Sequence, residues 1–312
     1  MKTVCDTALI LNRIKSTIRE QQTVHINSID VVVCQQTLGM SLMEKYPKID
    51  STVVISDIRN FTQLFEIFQK SDDPRFIHFI EEYYLLGGKL AQLVAEESNE
   101  FYLKSAGDGI LAIFLDESHV RRAYLYGLLL FQLMEIKCLA FNHENNCSVS
   151  FGIGIETGYV QKVSCGTASG IPETYLGSVI NHAARIEAKT KDFHRTKLII
   201  GEKLYKRLIK QLFEEEYNHL VRRSAELRKN YEEVVAHHND MNKLNQNLML
   251  FYLFEHSLKG VDSPLPLFRL SPTLADMHKT SFLNVVKQLT SSPQHYQQVI
   301  SFITENAGNL PD

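Results

Sequence analysis

The most ordered stretch of hydrophobic and polar positions begins at residue 51. The run STVVISDI, 51–58, is short, apolar and β-branched, which predicts a buried strand. Helical spacing follows over 61–68 and again over 74–96. FYLKSA and ILAIFL then read as two strands joined around Gly107-Asp108-Gly109, because Asp-Gly between apolar runs signals a hairpin. A long helix is expected over 118–142. After it come a glycine-containing strand in SVSFGIGIETGYV, a loop entering a helix in TYLGSVINHAARIEAKT, and a strand entering a helix in KLIIGEKL. Strand character returns in LMLFYLFEHSLKG and PLPLFRL.

The order β, α, α, β, β, α, β, α, β predicts an α+β, ferredoxin-like domain with a mixed sheet over 51–270. Such a sheet packs helices on one face and can offer the other for dimerisation. Before it, 1–50 reads as a helical segment with an apolar VVV run at 31–33, closed by a break at KYPKID around Pro47. Within the domain, 202–247 is a charged, amphipathic helical insertion. Residues 271–312 form a tail with one helix over 280–290 and a second near the end.

Composition narrows the class. The chain is 44% hydrophobic and 22% charged, ordinary for a globular protein with a real core. A net charge of −3 gives no support for a nucleic-acid partner. The five cysteines show no CxxC pair and no zinc spacing, which fits reduced thiols in the cytoplasm. The N-terminus lacks the pattern of a signal peptide. The apolar run AYLYGLLLFQLM, 123–134, is too short for a bilayer core of about 30 Å and reads as a buried helix. A soluble cytoplasmic protein without a membrane partner is the expectation.

The candidate chemistry starts with two aspartates. Asp57 ends the first strand and Asp108 sits in the hairpin, so adjacent strands can bring both to one edge. Paired carboxylates suit two divalent cations, Mn2+ or Mg2+, which prefer oxygen ligands. Taken singly, Asp57 is equally a helix cap and Asp108 a turn former. The abrupt strand-to-helix turn after Asp57 offers backbone N–H groups of Asn60, Phe61 and Thr62 to phosphate oxygens. Asn181 and Arg185, four apart, share a helix face where an amide and a guanidinium can grip a sugar and a phosphate. A solvated helix face is the plain alternative.

SDIRNFT, YLKSAGDGILAIF, GIGIETGYV, YLGSVINHAARIE and LKG occur in the order found in class III adenylyl and guanylyl cyclase domains, and the resemblance covers about 51–270. It implies conversion of a nucleoside triphosphate to a 3′,5′-cyclic nucleotide and pyrophosphate. It gives the metal role to Asp57 and Asp108 with the Ile58 carbonyl, ribose orientation to Asn181, and stabilisation of the α-phosphate to Arg185. It gives Lys259 the β- and γ-phosphates, and Lys104 and Thr174 the base. It implies a homodimer with composite sites: Asp57 and Asp108 from one protomer, the base, ribose and α-phosphate residues from the other. The chain departs from the family in carrying Asn60 where a glycine is usual, and in the length of the insertion before Lys259. Asn is the next most tolerant residue of a left-handed turn.

Guanine-specific members usually carry Glu and Cys at the two base positions. Here a Lys104 donor and a Thr174 acceptor match the ring nitrogen and exocyclic amine of adenine and of cytosine alike, and oppose uracil. The pair leaves ATP and CTP open. The domain organisation resembles the pyrimidine cyclases of bacterial anti-phage (Pycsar) systems. On that ground cyclic CMP, read by a separate cyclic-nucleotide-binding effector, is the first expectation. A stand-alone adenylyl cyclase is the alternative. An inactive cyclase-homology module that binds a nucleotide is the alternative of another class.

Overall fold

The computed structural model describes residues 46–98, 100–164, 173–193, 196–216, 218, 245–261, 263–270 and 279–307. The chain divides into two units, Met1–Lys48 and Ile49–Asp312. The helices expected in 1–45 and most of the insertion after 218 lie outside the described residues.

The strands are β1 (Lys48–Arg59), β2 (Phe101–Ala106), β3 (Gly109–Phe114), β4 (Ser150–Ser164), β5 (Glu173–Leu176), β6 (Leu198–Gly201), β7 (Leu250–His256) and β8 (Leu265–Leu270). The helices are α1 (Phe61–Lys70), α2 (Arg75–Ala95), α3 (His119–Asn145), α4 (Ser178–Lys189), α5 (Glu202–Leu212), α6 (Lys279–Leu289) and α7 (Pro293–Ala307). Among the described residues the strands form one sheet in the order β2-β3-β1-β4-β6-β8-β7, with β5 paired to β4. It is mixed: β4 and β6 run parallel, while β1–β3, β2–β3 and β7–β8 are antiparallel. This is the α+β architecture that the sequence pattern predicts.

Strand periodicity sorts the side chains onto two faces. Val54, Ile58, Ala112, Phe114, Phe151, Ile153 and Ile155 point into the main core with α2 and α3. Residues of α6 and α7, including Phe282, Val286 and Ile303, belong to that same core. The apolar run in α3 is buried on all sides, as expected of a helix apolar all round. α3 is long and apolar enough to cross a membrane by length and composition, and 78% of that window is buried inside the fold.

The second face carries Val53, Ile113 and Val160, with Val179 and Ala183 of α4 packed on them. So a helix covers part of both faces, which corrects the expectation of helices on one face only. Glycines make room for it. A Cβ at Gly154 would collide with the Ala183 carbonyl and the Glu187 amide of α4, and one at Gly158 would press on Val179.

Two further readings are corrected. The expected break at KYPKID is strand from Lys48 onward: Ile49 packs against the second-face cluster, and Asp50 accepts from Arg207 at 2.6 Å. Tyr175, in the segment read as a loop, lies in β5, which pairs antiparallel with β4.

Candidate active site

The end of the β1–β3 ladder builds the centre of the site. Asp57 lies opposite Gly109, and the Ile58 amide donates to the Asp108 carbonyl at 2.9 Å. A Cβ at position 109 would sit 2.6 Å from the Ser56 carbonyl and 3.4 Å from the Asp57 carboxylate. Glycine there lets the hairpin press Asp108 against the first strand. The two carboxyl groups come within hydrogen-bonding reach. Burial, and then the Asp108 charge, push the Asp57 carboxyl up to about 6. Lys191 stands 3.8 Å from Asp57. Ile58 has a fully buried side chain, so its role at this edge falls to its backbone.

Two consecutive tyrosines of α2, not singled out from the sequence, hold this edge. The Tyr83 hydroxyl donates to Ser56 Oγ at 2.8 Å, next to Asp57. The Tyr84 hydroxyl donates to the Gly107 carbonyl, next to Asp108. No spacing in the sequence separates them from other aromatic residues of a core helix.

Asn60 adopts φ 60°, ψ 18° and precedes α1, so it takes the left-handed turn in place of glycine. Its Nδ2 donates to the Ser148 carbonyl at 3.4 Å. Phe61 starts α1 and stacks on Phe65 at 5.7 Å, and Thr62 is exposed. The first amides of α1 therefore lie directly after the aspartate strand, as a phosphate-facing turn requires.

Asn181 and Arg185 are both exposed on α4. Among the described residues no hydrogen bond or ion pair joins them to Asp57 or Asp108 of the same chain. Lys104 is exposed on β2 and Thr174 half-buried on β5. Their neighbours Tyr102 and Tyr175 touch with ring centroids 5.0 Å apart, which brings the two strands together. Lys259 is exposed in the turn after β7, where Gly260 has a φ of +76°.

A buried polar cluster beside Asp57 also escaped the sequence reading. Arg59 Nη2 donates to Thr190 Oγ1, and Thr190 Oγ1 donates to the Glu187 carbonyl at 2.6 Å. Glu187 is buried, and its carboxyl rises to about 7, first by desolvation and then by the Asp57 charge. All three side chains converge on Gly152, where a Cβ would meet each of them. The signal was present in the sequence as glycines at 152, 154 and 158, the two-residue period of one strand face.

Among the described residues no group of three or more His, Cys, Asp or Glu side chains could hold a metal. Any cation here relies on the Asp57 and Asp108 pair, backbone oxygen and the ligand itself.

No family model matches the chain. An adenylate cyclase of Anabaena cylindrica is 30% identical over 150 residues, 46% of this chain and 28% of that protein. The chain thus spans about a quarter of the length of that curated relative. The crystal structure of the adenylyl cyclase CyaB from P. aeruginosa superposes with a TM-score of 0.52 at 17% identity, over 75% of this chain and 99% of that one. The guanylate cyclase domain of RhGC from Catenaria anguillulae, crystallised with GTP, gives a TM-score of 0.47 at 17% identity, over 72% of this chain and 97% of that one. The fold is that of the class III cyclases.

Proposed function

We propose that this chain is a class III nucleotidyl cyclase. The observation that carries the reading is the approach of Asp57 to Asp108 at the end of the β1–β3 ladder, next to a helix that opens at Asn60. The Asp108 charge beside Asp57 is offset by a bound cation, and the hard oxygens of the two carboxylates suit Mn2+ or Mg2+. Two such ions, held by Asp57, Asp108 and the Ile58 carbonyl, would activate the ribose 3′-hydroxyl and hold the triphosphate. The first amides of α1, with Asn60, Phe61 and Thr62, would cradle phosphate oxygens. Asn181 would orient the ribose, and Arg185 would offset charge developing on the α-phosphate. Lys259 would meet the outer phosphates.

A homodimer supports the geometry best. Asn181 and Arg185 face solvent and, among the described residues, share no hydrogen bond or ion pair with the aspartates of their own chain, which supports a second copy bringing the two sets together. The second face of the sheet keeps Ile55, Tyr102, Leu111 and Leu115 only half-buried, an apolar surface suited to that contact.

Lys104 and Thr174 present a donor and an acceptor that fit adenine and cytosine equally. The adenylate cyclase of Anabaena cylindrica favours ATP, and with it cyclic AMP, as the first reading. Cyclic CMP, passed to a separate cyclic-nucleotide-binding effector in anti-phage defence, is the second; the shared base edge supports it. The cytoplasm is the proposed compartment, since the apolar α3 is occupied as a core helix.

Incubating the protein with each of the four triphosphates and Mn2+, then identifying products by mass spectrometry, tests the whole reading. Pyrophosphate and a cyclic nucleotide from ATP or CTP support it. Nucleotide binding with no pyrophosphate release would leave an inactive homology module instead.

A further inference from the structure

We infer that Arg59 and Glu187 are positioning residues that anchor the Asp57 end of β1 to α4. The inference rests on the cyclase reading for its consequence in catalysis, and on the geometry alone for its consequence in cation binding.

Glu187 sits on α4 where that helix is already fixed. Gly154 brings the α4 backbone into direct contact with β4 around Ala183 and Glu187, so this part of α4 cannot shift without moving the central sheet. Arg59, by contrast, lies at the last position of β1, two residues beyond Asp57, where the ladder with β3 has ended. Asp57 and Arg59 point to the same face of the strand. The arginine reaches α4 through Thr190 and the buried Glu187 carboxylate, which faces it. Arg59 Nη2, Thr190 Oγ1 and Glu187 Oε1 converge on Gly152, while Arg59 Nε and Glu187 Oε1 are buried with no hydrogen-bond partner. The link between the aspartate strand and the rigid helix therefore runs from Arg59 through Thr190 to the Glu187 backbone, with the Glu187 carboxyl charge beside the guanidinium to hold it there. Breaking it frees the end of β1, and Asp57 with it.

Position and charge predict opposite results for Arg59, which makes the inference testable. Removing a positive charge near Asp57 would by itself tighten cation binding. Loosening the strand would weaken it. The probe is Mn2+ alone, titrated into the full chain and followed by the electron paramagnetic resonance of free Mn2+. The variants are Arg59→Gln, Glu187→Gln, the double variant and Arg59→Lys. The expected result is Mn2+ binding at least about fivefold weaker in Arg59→Gln and in Glu187→Gln, with the double variant no weaker than the worse single one. Arg59→Lys should recover most of the loss. In turnover assays kcat should fall while the KM for triphosphate stays within about threefold.

Mixed dimers locate the effect. With one chain carrying Arg185→Ala and the other Asp57→Ala, the one whole site takes its Asp57 from the first chain. Glu187→Gln should reduce activity when placed in the first chain and have little effect in the second.

Tighter or unchanged Mn2+ binding in a folded Arg59→Gln protein would overturn the inference, as would additive losses in the double variant. If the wild type binds Mn2+ yet makes no cyclic nucleotide, the cyclase reading fails and the Mn2+ titrations still decide the role of the pair.

Discussion

The Asp57 carboxyl faces Asp108 across the end of the β1–β3 ladder, half-buried, and the charges of Lys191, 3.8 Å away, and of Arg59 offset only part of the burial and of the repulsion within the pair. Function here works against stability. The folded chain holds the Asp57 proton up to about pH 6, whereas the unfolded chain releases it near the ordinary 3.8. Between those values the unfolded state has lost a proton that the folded state keeps, so stability falls as pH rises through that window and levels off above it. Asp57→Asn should remove that slope. Above pH 6, with EDTA present, the variant should resist urea better than wild type, and near pH 4 the two should converge. Mn2+ should stabilise wild type and not the variant. Cyclisation should be abolished in Asp57→Asn, and equally in Asp108→Ala. A variant with near-normal turnover would refute the assignment of these carboxylates.

The outward Asn181 and Arg185 predict composite sites. Arg185→Ala should lower kcat by about 10²–10³-fold, the usual cost of a lost transition-state donor. Mixing it with an inactive Asp57→Ala protein should recover activity. Random exchange gives about half heterodimers, each with one whole site, so recovery should approach about a quarter of wild type. If heterodimers form and remain dead, each site must lie within one chain.

Tyr83 and Tyr84 make separable predictions, because one holds a side chain and the other a turn. Tyr83→Phe leaves the buried Ser56 hydroxyl without its donor and should cost about 1–3 kcal/mol in urea unfolding. Tyr84→Phe releases the Gly107 carbonyl beside Asp108 at a half-buried position, so its stability cost should be smaller. Its Mn2+ titration should weaken instead. Equal effects of the two changes on stability and on Mn2+ would show that the tyrosines do not divide the work in this way.

The legible parts of the fold were those where apolar pattern and turn chemistry agree. The hairpin at Asp108 was visible because Asp-Gly joins two apolar runs, and α3 because its apolar run exceeds what a surface helix needs. The start of β1 was missed because Lys48 and Asp50 are polar: Lys48 is exposed, and Asp50 is used in an ion pair with Arg207. Asp57 and Asp108 could be paired from the sequence because both end strands. Arg59 and Glu187 could not, since a half-buried arginine and a buried glutamate read as surface residues until the fold encloses them. The glycines at 152, 154 and 158 were the available trace of α4 on the second face.

Gly154 gives the plainest test of that packing. The backbone of α4 occupies the space a Cβ would need, and backbone cannot rotate away as a side chain can. Gly154→Ala should destabilise the fold by at least about 2 kcal/mol. Gly107→Ala meets nothing within 4 Å but sits at φ +67°, so its smaller cost is conformational. Thermal melts should rank Gly154→Ala well below Gly107→Ala. The reverse order would mean that α4 does not press on β4 as described.

Glu156 offers a second pH dependence, remote from the cation ligands. It lies on β4 with its side chain buried, and its Oε1 accepts from the Thr157 amide at 2.9 Å and from the Leu204 amide at 3.0 Å. Leu204 is in the first turn of α5, so the carboxyl caps that helix from a distant strand. Burial nevertheless outweighs these two donors and raises the carboxyl from 4.5 to about 7. Desolvation wins because most of the charge has no partner beyond one oxygen. The unfolded chain loses this proton near 4.5 and the folded chain near 7. The stability contribution therefore falls as pH rises between those values and is constant above. Glu156→Gln keeps the amide-accepting oxygen and removes the titration. The stability difference between variant and wild type should be near zero at pH 4.5. By pH 8 it should grow to at most about 3 kcal/mol in favour of the variant. Urea unfolding at half-unit pH steps measures this difference directly and cancels the slopes contributed by Asp57 and Glu187. A difference that is flat with pH, or that favours wild type at pH 8, would mean the two amide bonds hold Glu156 ionised and that the charge itself caps α5.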